Sequence, residues 1–142
     1  SVVADADLTR RSGDDYAARV YVLFDYPANR LSLATRAKLT LVETLYGQKI
    51  PTAALNYVWD NRAPVGSIHP NAYTDRARMI VLRSGPDQAE RWVDERRDVA
   101  ADFRAAFGED PPDVIGIAVA TDTDNTSARA VAWFGDLEWR TR

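Results

Sequence analysis

The segment from Tyr16 to Tyr26 is apolar on both of its faces, and that narrows what this chain can fold into. Val20, Val22 and Phe24 alternate onto one side, while Arg19, Tyr21 and Leu23 occupy the other. A strand that reads this way needs cover above and below and neighbours on both edges, so an inner strand of a sheet is expected. Arg19 is the exception in the run. A guanidinium on a core strand needs a carboxylate partner, because burying it unpaired costs several kcal/mol.

The remaining punctuation favours β structure. Alternation from Ala53 to Trp59, with Leu55, Tyr57 and Trp59 against Asn56 and Val58, predicts a strand with an aromatic face. Further strands are expected from Arg76 to Arg83, from Val114 to Ala120 and from Ala128 to Trp139. Two short helices interrupt them. One runs from Ser32, a suitable N-cap, to Tyr46, with Gly47 as its stop; the other runs from Val99 to Phe107 between Asp98 and Gly108. Residues 60–75, with Pro64, Gly66 and Pro70, read as a long surface loop, and Ser12-Gly13-Asp14-Asp15 as a turn. Trp92 to Arg97 fits strand and helix equally. Many strands with two helical insertions in one domain over residues 1–142 predict an all-β sandwich, with a ferredoxin-like layer as the competitor.

Composition excludes several function classes. A net charge of −3 argues against a duplex-binding surface. Cysteine is absent, which removes thiolate metal sites, cysteine nucleophiles and disulfides together. No stretch approaches the roughly 18 apolar residues of a membrane span. His69 is the only histidine and lies in the Pro/Gly-rich loop, so a solvated loop residue is its expected state. No phosphate-binding glycine loop is present. The chain starts at Ser1 without methionine, so a processed or trimmed start is expected.

Chemistry concentrates in Thr121-Asp122-Thr123-Asp124-Asn125-Thr126, which comes after an apolar strand without an intervening Gly or Pro. Three readings compete for it. Asp122, Asp124 and Asn125 present hard oxygens that suit calcium, although the glycine and distal glutamate of an EF-hand loop are missing. The same groups can hydrogen-bond the hydroxyls of a polyol. They can also close an Asx-turn between two strands. Asp122, Asp124 or Asp136 would in addition partner Arg19. The aromatic group Tyr57, Trp59, Trp92, Trp133 and Trp139 supplies rings that stack on sugar faces or fill the core, and Asn56-Tyr57-Val58-Trp59 combines an amide with aromatics beside the long loop.

Gly13-Asp14-Asp15-Tyr16-Ala17-Ala18-Arg19-Val20 and Ala54-Leu55-Asn56-Tyr57-Val58-Trp59 resemble motifs of a bacterial family filed as domain of unknown function 3047. So do the segment from Trp92 through Glu95-Arg96-Arg97-Asp98-Val99 to Phe107-Gly108-Glu109, the Thr121–Thr126 segment and Phe134-Gly135-Asp136. The resemblance implies an exported, periplasmic protein without assigned activity. Its closing strands are similar to those of galactose-binding-like jelly rolls. It further implies strands ahead of the Gly-Asp-Asp-Tyr motif, so the sandwich here is expected to lack its opening strand and to leave an open sheet edge for a partner chain.

The expected function is therefore a non-catalytic binding module for a glycan or other polyol. Arg19, Asn56, Tyr57, Trp59, Asp122, Asp124 and Asn125 form its site, with no cofactor beyond calcium at Asp122 and Asp124. Two alternatives stand beside it. One is a glycoside-cleaving enzyme using two carboxylates from Asp15, Glu95, Asp122 and Asp124. The other is a structural subunit that docks on a partner.

Overall fold

A computed structural model describes residues 2–37, 40 and 52–140. Five strands form one mixed sheet: β1 (Tyr16–Phe24), β2 (Ala53–Asp60), β3 (Ile68–Pro70), β4 (Ala77–Ser84) and β5 (Val114–Asp122), in the order β3-β4-β2-β1-β5. β1 is antiparallel to both neighbours, and β4 runs parallel to β2. The parallel pair arises because the chain reverses through β3, then returns between β3 and β2.

β1 is the inner strand its two apolar faces require. Val22 and Phe24 join Leu55, Tyr57, Ile80 and Phe103 in a core on one face, closed by the helix Val99–Phe107. The opposite face buries Tyr16, Val58, Met79 and Val81 under Leu8 of the N-terminal segment. Tyr16 shares the parity of Val20 and would lie with it, but a bulge between Tyr16 and Arg19 turns it onto the other face. The bulge thereby puts the Tyr16 ring under the Arg19 guanidinium, 4.5 Å from ring centroid to Cζ.

The helix obeys its sequence signals. Asp98 accepts from the Ala101 N–H at 3.1 Å, and Gly108 closes the last turn at φ 75°. The earlier helix begins as expected, with Thr35 N–H donating to Ser32 Oγ at 3.2 Å and helical backbone over residues 33–37. Residues 38, 39 and 41–51, with the Gly47 stop, lie outside the described residues.

Three expectations change. The long loop over residues 60–75 contains β3, an edge strand on which Pro70, lacking an N–H, is tolerated. Residues 92–97 are neither strand nor helix. The strand expected from Ala128 to Trp139 does not form: a turn over residues 124–127, ending with Ser127 at φ 54°, takes the chain off the sheet, and residues 128–140 run irregularly. The protein is thus β-rich, with one sheet and two short helices among the described residues.

Phe103 is fully buried, with its ring centroid 4.6 Å from that of Phe24 and 4.5 Å from that of Phe107. Phe103→Ala is expected to cost about 3–5 kcal/mol, through lost transfer energy and the cavity left behind. Urea denaturation of the variant and the parent measures it.

Candidate functional site

Two places collect the residues singled out in the sequence. The first is the end of the sheet where β1 begins and β5 finishes. Arg19 is 3% exposed, and its Nη2 lies 3.2 Å from Asp122 Oδ2 and 3.6 Å from Asp14 Oδ1. Nη2 also donates to the Asp14 carbonyl, and Nη1 donates to the Tyr21 hydroxyl at 3.0 Å. Of the three carboxylates proposed as partners, Asp122 pairs with it. Asp124 and Asp136 are exposed and form no ion pair with it.

Asp15, next to Asp14, ties the acidic motif down. Its Oδ1 accepts from the backbone N–H and side-chain amide of Asn125, at 3.2 and 3.1 Å, and its Oδ2 accepts from the backbone N–H and hydroxyl of Thr126, both at 2.6 Å. Gly13 sets up this geometry. Its carbonyl accepts from the Asp7 and Asp15 N–H groups, and a Cβ there would lie 2.8 Å from the Asp7 nitrogen. Carboxylate oxygens of Asp15, Asp122 and Asp124 approach within 4.8 Å of one another. Both Asp15 oxygens are already occupied and Asp122 faces Arg19, so a cation there would compete with existing bonds. The shared hydrogen bond and the charge of Asp122 push the Asp124 carboxyl above its ordinary range.

The second place is a cleft of about 550 Å³ on the side of the sheet. Trp59, at the end of β2, meets Trp92 and Trp133 from the irregular segments 89–92 and 131–133, with Ala17, Glu90 and Arg91. The Trp59 indole N–H donates to the Gly85 carbonyl at 2.9 Å, which fixes that ring. Trp92 and Trp133 are 73% and 71% exposed. Gly135 backs Trp92, since an added Cβ would stand 3.4 Å from its Cζ3. Glu90 holds a left-handed backbone at φ 67°, and neither it nor Arg91 has an ion-pair partner among the described residues.

The two remaining sequence candidates lie in the interior. Tyr57 packs in the core and donates its hydroxyl to Asp102 Oδ2 at 2.7 Å, so it offers no free ring face. Burial and that bond push its phenol well above the ordinary range, keeping it a neutral donor. Asn56 is fully buried and donates to Met79 Sδ at 3.3 Å. Glu95 is bonded to Arg83 at 2.5 Å. Glu90 and Arg91 carried no signal in the sequence, since nothing there reveals the left-handed turn that brings them beside Trp92.

Burial raises the Asp15 carboxyl, but the hydrogen bonds from Thr126 and Asn125 together outweigh it and hold the group below its usual range. A depressed native pKa makes the stabilisation complete above the unfolded value, near 3.9, and removes it as pH falls through the native value. Asp15→Ala is expected to cost about 3 kcal/mol at pH 7 by leaving four partly buried donors without their acceptor. Denaturation at stepped pH should show the gap between variant and parent narrowing below about pH 4, as the part that depends on the charge of Asp15 is lost.

The family profile described as protein of unknown function (DUF3047) matches residues 1–138. No curated protein matches the chain, and no solved structure does.

Proposed function

Because this chain belongs to the family of proteins of unknown function DUF3047, its role has to be read from its own site, and we propose that it binds a glycan or another polyol in the tryptophan cleft. The observation that carries the reading is the meeting of three indoles with an unpaired carboxylate and an unpaired guanidinium around one cleft. Indole faces match the apolar faces of pyranose rings, and Glu90 and Arg91 supply an acceptor and donors for vicinal hydroxyls. Arg19, Asp122 and Asp15 serve as the brace that holds the wall of the cleft. An extracytoplasmic, periplasmic location belongs to the same reading and rests on the sequence resemblance alone.

The glycosidase alternative draws less support. Hydrolysis needs two carboxylates across the scissile bond, and Glu90 is the one carboxylate among the residues lining the cleft. Asp15 and Glu95 are committed to other partners.

A second reading, docking of a partner chain, has its own observation. β5 is an edge strand, and Ile115, Ile117 and Val119 on it are 42–52% exposed. Ile117 and Val119 pair with Val22 and Val20 and so extend the face that the helix covers only in part. A second apolar layer here would cover the open part of that face. Light scattering of the purified chain tests this reading: a defined oligomer supports it and a clean monomer opposes it.

Calorimetric titration against a glycan panel tests the binding reading. Trp92→Ala and Trp133→Ala, both at exposed rings, are each expected to weaken binding about tenfold, or 1.4 kcal/mol, with unchanged stability. A panel in which nothing binds, or variants that bind like the parent, would overturn it.

A further inference from the structure

A second cavity, of about 260 Å³, lies on the opposite face from the helix, between the N-terminal segment, the end of β2 and β3. Asp60, Asn61 and His69 line it, and each carries a buried polar atom with no hydrogen-bond partner among the described residues: Asp60 Oδ1, Asn61 Oδ1 and His69 Nε2. Asp60 is 2% exposed. Its other oxygen accepts from the Arg62 and Ala63 N–H groups at 3.0 and 2.6 Å, closing the turn after β2 and fixing the carboxylate. Asn61 donates its amide nitrogen to the Ala4 carbonyl at 2.5 Å, so the amide oxygen is the atom left over. Buried polar groups are nearly always satisfied, and a half-satisfied buried carboxylate is a specific demand for a donor.

We propose that this cavity binds a small organic cation through a primary ammonium group. An ammonium offers three donors, and the three unpartnered atoms are all able to accept. The charge agrees. Asp7 and Asp60 contribute two negative charges to the lining and Arg62 one positive, its Nη2 donating to the Ala6 carbonyl at 3.1 Å. Asp7 is committed to Thr9 and Arg10, so the unmatched charge resides on Asp60. A divalent metal would find a single uncommitted carboxylate, too few charged oxygen ligands for a hard cation. Ala6, Leu8 and Ala63 complete the lining with apolar surface suited to a short methylene chain.

His69 is the only histidine, so its imidazole reports the site without assignment. The full chain is titrated with n-butylamine and 1,4-diaminobutane, with n-butanol as the uncharged isostere and with calcium, manganese and zinc chlorides separately. The His69 imidazole ¹⁵N shifts and the heat of binding are monitored. The amines are expected to shift His69 saturably, and n-butanol at least tenfold more weakly. Asp60→Asn should reduce amine affinity at least tenfold. Should that variant fail to fold, since Asp60 closes a turn, His69→Gln on the short edge strand decides the matter, with a loss of at least threefold. Equal responses to amine and alcohol overturn the proposal. So do unchanged affinity in a folded variant, binding of a metal but not of the amines, and a crystal structure at saturating amine that holds only water in the cavity.

Discussion

The buried guanidinium of Arg19 is the constraint around which the open end of the sheet is organised. Taking that charge out of water costs several kcal/mol unless its donors are matched. The matching groups come from three places: the turn before β1, Tyr21 two residues along the strand, and Asp122 at the end of β5. Each contact therefore fixes one element against another. The bulge that turns Tyr16 beneath the guanidinium adds a cation–π contact and shields the charge on one side. Burial raises the Asp14 carboxyl, Arg19 pulls it back, and the two partners are mutually dependent. Asp14 and Asp15, adjacent in sequence, do separate work: one meets the arginine, the other holds the loop after β5.

Much of the sheet was legible because its signals are local. Alternation marks β1 and β2, and runs bounded by turn residues mark β4 and β5, all to within two residues; the caps of the helix Val99–Phe107, Asp98 and Gly108, are residues adjacent to it. The need of Arg19 for a carboxylate came from desolvation alone, and Asp122 meets it. The failures share a cause: they depend on where the chain goes after a turn. Alternation over residues 128–139 resembles a strand, but a ladder needs a neighbour, and the left-handed Ser127 directs the chain elsewhere. A bulge that exchanges the face of Tyr16 is likewise invisible to parity. Tyr57 looked like a ligand platform because aromatics at strand ends fit either role. Its odd parity with Leu55 puts it under the helix instead.

The cleft was half legible. Trp59, Trp92 and Trp133 stood out as rings, yet residues 33 and 41 positions apart reveal nothing of their meeting. Trp59 is held by its indole N–H and forms the fixed part of the cleft, and Trp92 and Trp133 supply its exposed rings. Large aromatic surface left in water is unfavourable, and here two exposed rings gather beside a partly buried third around one hollow.

These two regions are linked by the chain itself. Asp15 seizes the backbone of Asn125 and Thr126, Ser127 then reverses direction, and Trp133 comes six residues later. The carboxylate therefore determines the point from which the exposed wall of the cleft departs. The acidic motif thus bears on the cleft without lining it, because it anchors the chain shortly before the segment that carries Trp133. An aspartate whose oxygens are already filled by four hydrogen bonds is well suited to that task and poorly suited to ligand contact. Its neighbour Asp122 is similarly engaged with Arg19. The motif is polar because a loop must be anchored beside a buried charge, and the chain leaves that anchor for the exposed ring of Trp133 at the cleft.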